Sequence, residues 1–248
     1  TFTSNFIFFK ESGYFDAASN TKWLLHTWSL SAEWQFYIIY PIVIVTLLKL
    51  FRIGTVKFLI VLATLISLGI SIFAVVSKNE TYLNAGYYLL PTRAWEMMLG
   101  GIAFFFPLTN KKTASYIQYI GIGLIILSYY LFSESTPWPG YLALLPAIGS
   151  YLVVVSDTNE TAFSKSKIMH YLGLWSYSIY LWHWPLVVGI STFELGTSGI
   201  VVGLVLSVLL GALSYYTIES INFKKLKGLK EYAYMPVAVI LIAFGTHG

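Results

Sequence analysis

The stretch SLSAEWQFYIIYPIVIVTLLKL, Ser29 to Leu50, decides how the rest of the chain is read. Its first turns carry Ser29, Ser31, Glu33 and Gln35, and no further charge appears until Lys49. A helix needs about 20 mostly apolar residues to cross the hydrocarbon of a bilayer. Backbone groups in lipid must pair within their own segment, so such a run is a helix. Here it has a polar mouth at one end.

Further apolar runs follow on both sides of short polar breaks. They cover Val56–Val76, Leu90–Leu108, Tyr116–Phe132, Tyr141–Val155, Tyr171–Ile190, Thr197–Thr217 and Tyr234–Phe244. The Tyr141–Val155 run is short and broken by Pro146, and the last is shorter still. The expected fold is all-α, a polytopic transmembrane helical bundle with about eight membrane segments. A membrane β-barrel would instead alternate apolar and polar residues in segments of about ten. Composition agrees: 57% of residues are hydrophobic and 10% charged. Soluble domains carry about 25% charged residues, and a soluble fold of this size could not hide so much apolar surface. Aromatics reach 18%, which suits side chains seated at membrane interfaces. With no cysteine, a disulfide framework and a thiolate metal site are both excluded.

Lysine and arginine give an orientation. The loops after the first, third, fifth and seventh segments hold Lys49, Arg52, Lys57, Lys111, Lys112, Lys165, Lys167, Lys224, Lys225, Lys227 and Lys230, eleven of the 15 basic residues. That side is expected to be cytoplasmic. The Ser77–Tyr88, Ser133–Gly140 and Ser191–Gly196 loops then face outward, as does the opening stretch. The expected division is an extracytoplasmic segment, 1–28, followed by one transmembrane domain, 29–248. The chain starts at Thr1 with no leader-like run and stops at Gly248 beside an apolar run, so it is read as part of a longer protein. The basic residues mark topology; they do not form the single basic run of a nucleic-acid binder. Gly199 and Gly203 fit a small-residue packing pattern, read as ordinary helix packing.

Ionisable side chains at membrane depth are costly, so each needs a reason. Ser29 reads as a helix N-cap, and Ser29, Glu33 and Tyr37 recur every fourth residue on one face. His26 stands just before them. Pro91 suits a first helical turn; Arg93 and Glu96, three apart, can pair along the helix, and the Arg93 fork suits a carboxylate or phosphate. Gly173, Ser176, Tyr180 and His183 fall on one stripe expected to face the bundle interior, and Pro185 is expected to kink that helix. Glu219 lies near the Lys224–Lys230 cluster, where a neutralised helix end is the plainer reading. No Gly-rich phosphate loop, no metal-type His/Glu spacing and no Gly-x-Ser-x-Gly elbow occurs.

Several of these stretches, in this order, resemble acyltransferase family 3, the membrane O-acyltransferases of bacterial surface glycans. They are Ser12–Asp16, His26-Thr27-Trp28-Ser29-Leu30-Ser31-Ala32-Glu33-Trp34-Gln35-Phe36-Tyr37, Arg93-Ala94-Trp95-Glu96 with Gly100, Ser176–Pro185 and Glu219. The resemblance implies transfer of an acyl group, usually acetyl, from cytoplasmic acyl-CoA to a sugar hydroxyl outside the plasma membrane. No cofactor is implied beyond that donor substrate, and no metal. The acceptor class is O-antigen, lipopolysaccharide, peptidoglycan or a lipid-linked saccharide. Some members carry a hydrolase-like domain after the membrane part. His26, Glu33 and Arg93 become the candidate catalytic residues; Ser29, Ser31, Tyr37, Glu96, Ser176, Tyr180 and His183 become the candidate substrate-binding ones. The family pattern also puts an Arg and a catalytic His on a first helix before Thr1, so this stretch alone is expected to be inactive. Trp34 stands where relatives often have a second acidic residue, and Ser220–Phe223 replaces a usual Pro and Arg. A secondary transporter would also use buried His, Glu and Arg; product analysis of the acceptor glycan separates the two.

Overall fold

A computed structural model describes residues 2–11, 22–108, 110–133 and 138–220. Among them every regular element is helical: α1 Ser4–Lys10, α2 Thr27–Leu50, α3 Ile53–Val76, α4 Glu80–Tyr88, α5 Leu90–Phe105, α6 Lys111–Leu131, α7 Leu144–Ser156, α8 Ala162–Lys165, α9 Lys167–Thr192 and α10 Gly196–Ser214. Residues Tyr141–Ala143 form a 3-10 turn ahead of α7, and Tyr215–Glu219 a π turn that prolongs α10. Helices α2, α3 and α6, and α10 with its π turn, are long and apolar enough to cross a membrane.

The bundle is assembled as for lipid, apolar outside and small or polar inside. Ile38, Ile42 and Val45 on α2, Phe58, Leu65 and Phe73 on α3, and Val201, Leu204 and Val205 on α10 are each more than half exposed. The buried residues of α3 include Thr64, Ser67 and Ser71, and those of α10 are Gly199, Gly203, Ser207 and Gly211. Small residues let helix backbones approach closely where lipid removes the hydrophobic drive to associate. Thus Gly203 lies against Ile190 and Gly211 against Ile179, which seats α10 on α9. At the α6–α7 crossing, a Cβ added to Gly121 would fall 2.6 Å from the Gly149 carbonyl oxygen. Helix α3 packs on α5, and α1 on α2 and α4.

Several sequence expectations need correction. The first spanning helix begins at Thr27, with His26 in the capping position, so Ser29 is inside the first turn and caps nothing. The stretch Ser77–Tyr88 is largely helix α4, capped by Asn79, whose side chain accepts from the Thr81 and Tyr82 amides. Pro146 does not break α7: it sits in the first turn, where a helix needs no amide donor. The opening stretch contains α1, tied down by a Ser4–Ser31 hydroxyl pair at 2.5 Å. The Ser12–Asp16 motif, the Lys224–Lys230 cluster and the Tyr234–Phe244 run lie outside the described residues.

Candidate functional site

The start of α5 is built to hold Arg93 in place. Ser67 of α3 donates to the Pro91 carbonyl at 2.6 Å and accepts from the Trp95 amide at 3.1 Å. The Thr92 hydroxyl turns back to the Leu89 carbonyl at 2.7 Å. Arg93 then donates through Nη2 to Glu96 Oε2 at 2.9 Å, one helical turn along. Its guanidinium lies over the Trp28 ring, 4.9 Å from the ring centre, a cation–π contact that an arginine makes well. Trp28 is itself only 5% exposed, in a core with Leu25 and Tyr88. Arg93 is therefore clamped between an aromatic face and a carboxylate. Ser29, Ala32, Glu33, Arg93, Glu96 and Met97 enclose a cavity of about 60 Å³. The second Glu96 oxygen, Oε1, is enclosed without a hydrogen-bond partner.

Beside this cavity stands a second cluster. Tyr180 of α9 donates to the His26 carbonyl at 2.5 Å, and its oxygen lies 2.5 Å from Ser29 Oγ. His26 is 6% exposed. Its ring centre is 5.9 Å from that of His183 and 5.5 Å from that of Tyr180. Burial, and secondly the neighbouring His183, push the His26 imidazole down to about 4, so the ring is neutral at physiological pH. Its Nδ1 is enclosed without a partner. His183 Nδ1 meets the Tyr180 backbone carbonyl, which can only accept, so Nδ1 carries a hydrogen. Trp184 Nε1 donates to the Lys22 carbonyl at 2.8 Å, a further tie between α9 and the turn before α2. Ser29 belongs to both clusters and joins them.

Of the residues singled out from sequence, His26, Ser29, Glu33, Arg93, Glu96, Tyr180 and His183 converge at this end of the bundle. Three others do not. Ser31 is buried on the opposite side of α2, against Ser4 of α1. Tyr37 is 60% exposed. Ser176 is also exposed and bonds only the Gly173 carbonyl of its own helix among described partners. On α9 the buried serine is Ser178, and its hydroxyl donates to the Glu219 carboxylate. That pairing was invisible in sequence, as were Trp28 beneath Arg93 and Ser67 behind α5.

Two larger spaces adjoin the site. A groove of about 300 Å³ between α9 and α10 is apolar except for His183, Ser191 and Ser207. A cavity of about 380 Å³ lies between α5 and α7 and shares Glu96 with the smaller one. Among the described residues no three His, Asp or Glu side chains are grouped as metal ligands.

The comparisons with known proteins fit this arrangement. The family profile described as "Acyltransferase domain" matches residues 2–218. O-acetyltransferase OatA of Staphylococcus aureus (strain NCTC 8325 / PS 47) is 27% identical over 232 residues, covering 86% of this chain and 38% of that protein. A second S. aureus protein (strain COL), whose O-acetyltransferase name is provisional, is 28% identical over 250 residues, covering 92% of this chain and 40% of its own. The chain thus spans less than half the length of these relatives. No solved structure gives a significant match. With a match running from just before α1 to the π turn after α10, and the Arg93–Glu96 and His26–Tyr180 clusters inside it, the chain belongs to the acyltransferase domain family.

Proposed function

We propose that this chain is the membrane part of an enzyme that moves an acetyl group from acetyl-CoA in the cytoplasm to a hydroxyl of an extracytoplasmic glycan. The observation that carries the reading is the polar cavity where Glu33, Arg93 and Glu96 meet Ser29, adjoining the His26–Tyr180–His183 cluster. Polar and charged groups gathered at the end of an apolar bundle are expensive to keep and mark a site. The names of the relatives support acetyl transfer in particular. The lysine-rich loops lie at the other ends of α2, α5 and α7 from this cavity, which supports a multi-pass arrangement in the bacterial plasma membrane with the site facing outward. The acceptor belongs to the O-antigen, lipopolysaccharide and peptidoglycan class.

The chemistry required is limited. The acceptor hydroxyl oxygen forms a bond to the acyl carbon, the thioester C–S bond breaks, the hydroxyl proton passes to a base, and CoA leaves as the thiol. Glu33 accepts a hydrogen bond from the acceptor hydroxyl and orients it. Arg93, held by Trp28 and Glu96, places a fixed positive charge where negative charge develops on the acyl oxygen. His26 is neutral and has an unpartnered nitrogen, but a base that titrates near 4 is poorly matched to proton abstraction at neutral pH. It is therefore assigned to positioning the acceptor. Tyr180 and His183 line the inner path of the acyl group.

The test is the protein expressed from its complete coding sequence in a host with unmodified surface glycan, measuring ester-linked acetate released by mild base. Glu33→Gln and Arg93→Ala should each lower it at least tenfold at equal membrane levels. Wild-type amounts of acetate in both variants would remove the cavity from the reaction.

A further inference from the structure

We propose that the cavity between α5 and α7 is the subsite for one neutral pyranose ring of the acceptor. The inference rests on the glycan reading above and adds where the sugar sits. The two neighbouring spaces differ in capacity: about 60 Å³ around Arg93 and about 380 Å³ between α5 and α7. The smaller holds a functional group. The larger falls in the range of ordinary small-molecule sites. Glu96 forms part of both walls, so a ring in the larger space has a hydroxyl within reach of Glu33 and Arg93 in the smaller.

The lining distinguishes a sugar from a lipid. Glu96 Oε1 is enclosed and has no donor, which is costly for a carboxylate oxygen. An acyl chain supplies no donor and would leave that oxygen as it is. A sugar hydroxyl supplies one, and a hydrogen bond to a carboxylate is among the stronger kinds. Trp138 lies at one end of the same cavity, half-buried and braced edge-on by Phe132, with ring centres 5.7 Å apart. The electron-rich face of an indole attracts the positively polarised C–H face of a pyranose. Ser150 and Tyr151 of α7 add hydroxyls on the wall facing Glu96. An anionic ligand would meet the Glu96 carboxylate unfavourably, which leaves a neutral ring. Trp138 also lies in the Ser133–Gly140 loop, on the side where a surface glycan would arrive. Behind it Gly140 adopts φ +43° against Val75, so the loop follows a backbone course that a larger residue resists.

The test uses the protein from its complete coding sequence in lipid nanodiscs, titrated with maltotetraose and with tetra-N-acetylglucosamine, binding being read by saturation-transfer NMR. At least one oligosaccharide should bind saturably. Trp138→Ala should weaken it at least tenfold, Trp138→Phe by no more than about threefold, and Tyr129→Ala, at a 90% exposed position on α6, should change nothing. Retained folding of Trp138→Ala is checked by the Phe variant and by its melting temperature. Saturable binding of neither sugar, or unchanged affinity in Trp138→Ala, overturns the subsite. Ester assays on the same samples separate the two readings. Trp138-dependent sugar binding without ester formation keeps the subsite and removes the transferase reading. Ester formation with an unchanged acceptor KM in Trp138→Ala does the reverse.

Discussion

The Tyr180 hydroxyl donates to the backbone carbonyl of His26 at 2.5 Å, joining residues 154 positions apart in the chain. Ser29 Oγ lies 2.5 Å from the same oxygen and also donates to the His26 carbonyl at 3.3 Å. These three groups tie α9 to the turn that opens α2. Tyr180→Phe deletes both bonds and keeps the ring. Losing a part-buried hydrogen bond while the His26 carbonyl keeps Ser29 as a donor costs about 1 kcal/mol. The melting temperature in detergent should fall and glycan acetylation should drop about tenfold. If both match wild type, the tie carries no weight.

A second expectation concerns pH. His26 lies outside the spanning part of α2, and its folded-state value is lowered to about 4 from 6.5. Below 6.5 the unfolded chain takes up a proton that the folded chain refuses until about pH 4. Stability is therefore lost as pH falls through that window, and is complete above it. His26→Gln removes the proton-binding group, so its melting temperature should fall less than that of wild type between pH 6.5 and 4. Parallel curves for the two proteins would show that His26 does not titrate this way.

Arg93 offers a test of shape against charge. A lysine at 93 keeps the charge but has no planar fork for Glu96 Oε2 and no flat surface for Trp28. Arg93→Lys should retain less than a tenth of wild-type acetylation, with membrane levels unchanged. Trp28→Leu should produce part of the same loss through a loosened Arg93. Full activity in Arg93→Lys would mean that a bare cation suffices there.

The long helices were legible because lipid imposes one demand, about 20 uninterrupted apolar residues, and α2, α3 and α10 obey it. Short elements escaped for the opposite reason. Helix α4 is held by the Asn79 cap and by packing, and α1 by Ser4 and Asn5 contacts to α2 and α4. Neither has the apolar period that would announce a helix. At the site, the spacing of Ser29 with Glu33 and of Arg93 with Glu96 follows helical turns, so a helical reading already places each pair on one face. Ser31 was grouped with Ser29 by proximity in a motif, yet two residues along a helix are about 200° apart, and it faces α1. Trp28, Ser67 and Trp138 reach their places through tertiary contacts that no local period encodes.

The Ser178–Glu219 pair shows how α10 is closed onto α9. Ser178 is 1% exposed in the middle of α9, and its hydroxyl donates to the carboxylate at the end of the Tyr215–Glu219 π turn. A π turn inserts extra residues into the helical ladder and re-aims the side chains after it, here bringing Glu219 to α9. Trp182 Nε1 to Ser214 Oγ, at 2.8 Å, is a second tie between the same helices. Glu219→Gln keeps an acceptor oxygen for Ser178, whereas Ser178→Ala leaves the carboxylate without this donor. Ser178→Ala should therefore lower the melting temperature more than Glu219→Gln does. In the double variant the two effects should fall short of adding by about 1 kcal/mol, the size expected of a hydrogen bond whose acceptor is partly screened by its surroundings. Strictly additive losses would mean that the two residues are neighbours without being partners, and that the π turn is set by something else.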